Sequence, residues 1–154
     1  IAVIDPAQQQ SRARDAGVQA TMNKVALATE GFISAYGRAP RGSEFIGSLQ
    51  ENTVTAQDGC AYANQYCEFE ITGNTLDTSC GGDNWSGSGE NQCYFRYWRE
   101  TIPASNDDVT HFRLYAKSYG IDNVVFLYDN QTGEIQECTA TSVADGTGTT
   151  CDGS

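Results

Sequence analysis

The chain has 154 residues, nine Lys and Arg against 20 Asp and Glu, a formal net charge of -11 and a single histidine. That length suits one domain with a sizeable core, and no stretch of the composition reads as a linker. An acidic excess of this size excludes nucleic-acid binding through phosphate contacts, which needs a basic footprint.

Ile1 to Ile4 is an apolar fragment with no visible partner in the chain, and the residues from Ile4 to Tyr36 read as one long amphipathic helix. Asp5 can cap it, Pro6 suits the first helical position, and Gln8 stands where the reciprocal partner of a capping box would. Val18, Met22, Val25, Ala26, Thr29, Phe32, Ile33 and Tyr36 recur at steps of three and four, while Arg12, Asp15, Gln19, Asn23 and Glu30 fall mostly off that stripe. The first half, Ala7 to Ala20, is apolar almost only through alanine. It is either solvated or packed closely against something outside the chain.

Gly37 to Gly42 carries the glycine and proline that stop a helix. Ser43 to Leu49 reads as a short helical turn with Phe45, Ile46 and Leu49 inward, and Gln50 to Asn91 as loop around one short strand at Cys67 to Ile71. The glycines of Ser79 to Gln92 lack the spacing of a phosphate-binding loop, and Trp85 there reads as a lid on the fold. Four strands follow in Cys93–Glu100, His111–Ala116, Val124–Tyr128 and Glu134–Cys138, the last two joined by a turn at Asp129 to Gly133. A sheet needs a cover, and the second half of the helix is the only element long enough. The expected fold is therefore α+β: one domain over 1–154, with a helix at 1–36, a loop region with a short strand at 37–91, a roughly four-stranded antiparallel sheet at 92–138 and a C-terminal loop at 139–154. Val18, Met22, Val25, Phe32 and Ile33 should pack on the sheet face bearing Phe112 and Leu114.

The even count of Cys60, Cys67, Cys80, Cys93, Cys138 and Cys151 in Asn, Gly, Ser and Thr-rich surroundings reads as three disulfides and an oxidising compartment. Short local loops favour Cys60 with Cys67, Cys80 with Cys93 and Cys138 with Cys151, although spacing alone leaves other pairings open. No CxxC pair exists and His111 is remote from every cysteine, which argues against a metal site.

No catalytic constellation emerges. His111 is the only imidazole, alternation puts it on the face opposite Phe112 and Leu114, and it reads as a surface histidine without nucleophile or orienter. Asp77, Asp83, Glu90, Asp107, Asp108, Asp145 and Asp152 do not follow EF-hand spacing. A solvated acidic surface is the expected reading, with calcium the alternative. Asn84-Trp85-Ser86 and Asn130-Gln131-Thr132 fit the glycosylation pattern, which by itself decides nothing.

The opening run Ile1-Ala2-Val3-Ile4-Asp5-Pro6-Ala7-Gln8-Gln9-Gln10-Ser11-Arg12-Ala13-Arg14-Asp15-Ala16 resembles the stretch just beyond the membrane-spanning part of bacterial type IV pilins and of type II secretion pseudopilins. The helix, the long loop, the hairpin at Tyr128, Asp129, Thr132 and Gly133, and the terminal cysteines Cys138 and Cys151 are similar to that family as well. The resemblance implies a non-enzymatic structural subunit of a surface pilus or fimbrium, serving adhesion, twitching motility or DNA uptake, without cofactor or metal. It also implies an apolar N-terminal segment ahead of Ile1, methylated in the family after leader cleavage. That segment would anchor the subunit in the inner membrane before assembly and form the filament's core with identical or related subunits afterwards. The alternatives are a type II secretion pseudopilin and an unrelated disulfide-rich secreted binding module.

Overall fold

The computed structural model describes residues 6–41, 44–45, 66–72, 75–77, 95–100, 109–121, 124–140 and 151–153. Helix α1 spans Pro6–Tyr36. Proline opens it at a position whose N–H would be unpaired in any residue. It ends where Gly37, at φ 75°, donates its N–H to Ile33 O at 2.7 Å, a left-handed stop that costs glycine nothing. Beyond it, the Arg38 guanidinium grips both oxygens of Glu44 at 2.7 and 2.6 Å, and Phe45 donates its N–H to Arg41 O at 2.7 Å. Phe45 is fully buried. Ile46 and Leu49, expected beside it, lie outside the described residues.

Seven strands, β1 (Tyr66–Thr72), β2 (Thr75–Asp77), β3 (Phe95–Arg99), β4 (Phe112–Lys117), β5 (Val124–Asp129), β6 (Glu134–Ala140) and β7 (Cys151–Gly153), form one sheet in the order β2-β1-β3-β4-β5-β6-β7. Every neighbouring pair is antiparallel. The expected four-stranded antiparallel sheet is present as β3 to β6, and among the described residues β1, β2 and β7 extend it to seven strands. The four expected strands are β3 to β6, and β1 falls on the alternation around Cys67 to Ile71. At three residues each, β2 and β7 are too short to carry a readable alternation.

The expected disulfide-closed C-terminal loop is corrected too. No disulfide joins two described cysteine side chains, and the end of the chain is held by β7 pairing on β6, with Ala140 opposite Cys151 and Cys138 opposite Gly153. Backbone pairing holds this end of the chain on β6. Cys138 is fully buried and disulfide-bonded to a cysteine whose side chain is not described. The side chains of Cys60, Cys67, Cys80, Cys93 and Cys151 lie outside the described residues, and with them the three expected pairings.

Alternation along the strands gives the sheet two apolar faces. On one, Phe69, Phe95, Tyr97, Phe112, Leu114, Ala116, Phe126 and Tyr128 meet Val18, Met22, Val25 and Ala26 of α1, which lies over β4 and β5. Ile33 packs against this cluster. Phe32, expected in this cluster, is buried outside it, with the Tyr36 ring at 4.4 Å and the Arg38 guanidinium 5.6 Å above its own ring. Phe45 stacks on Tyr97 at 4.1 Å, and the Tyr97 hydroxyl donates to Pro40 O, which docks the segment after the helix onto β3. On the opposite face Trp98, Tyr115, Val125, Leu127 and Cys138 form a second buried cluster.

Candidate functional site

The first half of α1 has little apolar area to bury, and what fixes it to the sheet is polar. Asp15 is buried, and its carboxylate accepts the Ser118 hydroxyl at 2.7 Å, Tyr119 N–H at 2.6 Å and Gly120 N–H at 3.3 Å. Ser118 Oγ in turn accepts from Gly120 N–H at 3.2 Å and Ile121 N–H at 3.0 Å. One carboxylate thus orders the turn that follows β4. The approach is close at Gly120, where a Cβ would lie 3.0 Å from Ser11 Cβ and 3.1 Å from Asp15 Oδ2, so a larger residue would push the helix or the carboxylate back by a few tenths of an ångström. Above the clamp a cleft of about 370 Å³ opens between helix and turn, lined by Ala7, Gln8, Ser11, Arg12, Asp15, Gly120 and Ile121.

A second polar clamp holds the other half, where Tyr128 donates its hydroxyl to Glu30 Oε1 at 2.6 Å. Burial, with the Glu30 carboxylate beside it, pushes the Tyr128 phenol up to about 12, so it remains the donor at any ordinary pH. Asp15 and Glu30 therefore face the sheet, against the expectation that they fall mostly off the buried stripe. Asp15 stands three residues before Val18 and so falls on the buried stripe itself; polarity alone argued for the outer face.

With both acids turned to the sheet, the solvent face of α1 carries Arg12, Ala13, Arg14, Ala16, Gly17, Ala20, Asn23, Lys24, Leu27 and Gly31, all exposed. Leu27 is exposed and is the one large aliphatic side chain among them. Gly17 and Gly31 have open space where a Cβ would stand, so packing within the chain does not require them. Arg14 lies 5.7 Å above the Tyr119 ring. A smooth, small-residue face with basic ends is suited to close approach by another surface.

The region around His111 is the other candidate, and it corrects the expectation of a surface histidine. His111 does lie on the face away from α1, yet it is buried. Its Nε2 is 2.9 and 3.0 Å from the two Asp129 oxygens and its Nδ1 is 3.4 Å from Glu100. Arg113 Nε donates to Asp129 Oδ2 at 2.8 Å, its guanidinium lies 4.8 Å from the Trp98 ring, and that ring meets His111 edge-on at 5.3 Å. Both imidazole nitrogens are engaged by carboxylates, which is a structural arrangement; no hydroxyl or thiol nucleophile is in hydrogen-bond reach of the ring among the described residues.

Burial raises the Asp129 pKa, but the Arg113 guanidinium, the Gln131 N–H and His111 outweigh it and hold the carboxyl below its ordinary value. A carboxylate depressed in the folded state contributes stability that is present above its unfolded pKa of about 4 and lost as pH falls through the folded value. Urea unfolding should accordingly show stability falling below about pH 4. Asp129→Asn should cost about 1–3 kcal/mol at pH 7 and flatten part of that acid decline. An unchanged acid slope in the variant would remove this role from Asp129.

Asn130, in one of the two glycosylation patterns, is already committed: its Oδ1 accepts Phe112 N–H at 3.0 Å and its Nδ2 donates to Thr110 O at 2.7 Å. The side chains of Asp77, Asp83, Glu90, Asp107, Asp108, Asp145 and Asp152, like Asn84 and Trp85, lie outside the described residues. Among the described residues no three His, Cys, Asp or Glu side chains gather as metal ligands, and no helix is long and apolar enough to cross a membrane. Comparisons with models of protein families, with curated proteins and with solved structures find no match.

Proposed function

We propose that this chain is the exposed domain of a bacterial type IV pilus subunit: a non-enzymatic building block held in the inner membrane before assembly and in an extracellular filament afterwards. The observation that carries the reading is the division of α1 into two faces, one clamped to an antiparallel sheet through Asp15 and Glu30, the other left smooth, small and solvent-facing. A helix that spends one face on its own sheet and keeps the other for close approach suits repeated packing of like subunits. The resemblance of Ile1 to Ala16 to the pilin segment beyond the membrane agrees with it. Adhesion, twitching motility and DNA uptake are the roles such a filament would serve.

A pseudopilin of type II secretion is the second reading. The coding sequence upstream of Ile1 tests both against an unrelated secreted module. A short basic leader followed by an apolar run of about 20 residues is expected. An ordinary signal peptide ending directly before Ile1 would overturn both filament readings.

A further inference from the structure

Two opposite charges border the cleft between α1 and the turn after β4, and they do not meet. Arg12 and Asp15 are three residues apart, the spacing at which opposite charges on a helix pair across one turn. Asp15 turns to residues 118–120 instead, and among the described residues no ion pair reaches the exposed Arg12. Arg14, the other guanidinium of this half, lies over the Tyr119 ring. The Asp15 carboxylate also keeps acceptor capacity. Its Oδ2 accepts from Ser118 and Gly120 and its Oδ1 from Tyr119 N–H, three of the roughly four positions that a carboxylate offers. This carboxylate borders the cleft on a residue only 8% exposed, where a charged donor is held more strongly than it would be in water. Gln8 and Ser11 add an amide and a hydroxyl to the lining, and Ala7 and Ile121 add apolar surface.

We propose that the cleft is a binding site for a small zwitterion, an apolar α-amino acid whose carboxylate lies on Arg12, whose ammonium lies on Asp15 and whose side chain lies on Ala7 and Ile121. A plain anion would meet Asp15 and a plain cation would meet Arg12, so a ligand that carries both charges matches both edges. Guanidinium takes a carboxylate through two parallel bonds, which fixes the ligand's orientation as well as its charge. The volume of about 370 Å³ stands at the small end of the range of about 300–1,000 Å³ for ligand sites, which suits one amino acid better than a peptide. The floor is preformed, because the bonds that hold residues 118–120 to Asp15 bring the helix and Ile121 together before any ligand arrives. This site lies beyond the filament reading and does not depend on it.

L-leucine added at tens of millimolar to nitrogen-15-labelled chain should shift the amide signals of Ser11, Gly120 and Ile121 saturably and leave those of β5 and β6 in place. Leucinamide lacks the carboxylate and N-acetyl-leucine lacks the ammonium. Each should bind at least about tenfold more weakly, the loss expected for one bond between charged groups. Arg12→Gln, an exposed substitution whose unchanged spectrum elsewhere would verify the fold, should lose as much affinity for leucine and leave leucinamide where it was. Absence of saturable shifts at these amides, equal binding of either blocked leucine, or full affinity for leucine in Arg12→Gln would each overturn the site.

Discussion

Asp15→Ala should lower stability by about 2–4 kcal/mol and detach the first half of α1 from the sheet. The carboxylate accepts three bonds from residues 118–120; a bond to a charged group contributes about 1.5–3 kcal/mol net, and bonds sharing one carboxylate do not add in full. The apolar contacts of α1 begin only at Val18, so little else secures Pro6 to Arg14. Asp15→Asn keeps one acceptor oxygen and should cost less than Asp15→Ala. Hydrogen exchange should show faster opening of both the first helical turns and the 118–121 turn in the alanine variant. Equal protection in variant and parent would mean that the clamp is not what holds this half down.

The other large effect is expected at the centre of the sheet. Phe112 is completely buried in β4, with Tyr97 at 6.1 Å on one side and Tyr128 at 5.9 Å on the other. Phe112→Ala should cost about 3–5 kcal/mol, because neighbours held by strand pairing on both sides cannot collapse into the space left behind. Denaturant unfolding would measure it, and a loss below about 1 kcal/mol would show that the core repacks and that β4 is not its centre.

Long periodic elements were legible in the sequence and short or polar ones were not. Thirty-one residues of α1 repeat the three-and-four spacing often enough to outvote single exceptions, and β3 to β6 carry five to seven residues of alternation each. The three-residue strands β2 and β7 gave no such signal; they are defined by their pairing partners. Asp15 was placed outward because a carboxylate in isolation prefers water, a preference overridden by donors 103 to 105 residues away. His111 was read as exposed for the same reason. It is enclosed by Asp129 and Glu100, two carboxylates that alternation within its own strand cannot reveal. Cysteine spacing suggested local bonds, yet the register of β6 and β7 depends on backbone pairing that no spacing rule contains.

Filament formation by the full-length precursor tests the central claim most directly. On the proposed function, full-length protein carrying the apolar segment which that reading calls for should, with the export machinery present, yield ordered surface filaments by electron microscopy. The chain from Ile1 to Ser154 at the same concentration should stay monomeric or weakly associated, since its net charge of -11 opposes assembly and burial of the apolar segment would supply the missing cohesion. Ordered filaments from residues 1–154 alone would contradict the dependence on that segment. A full-length protein that remains a soluble secreted monomer would contradict the filament subunit itself.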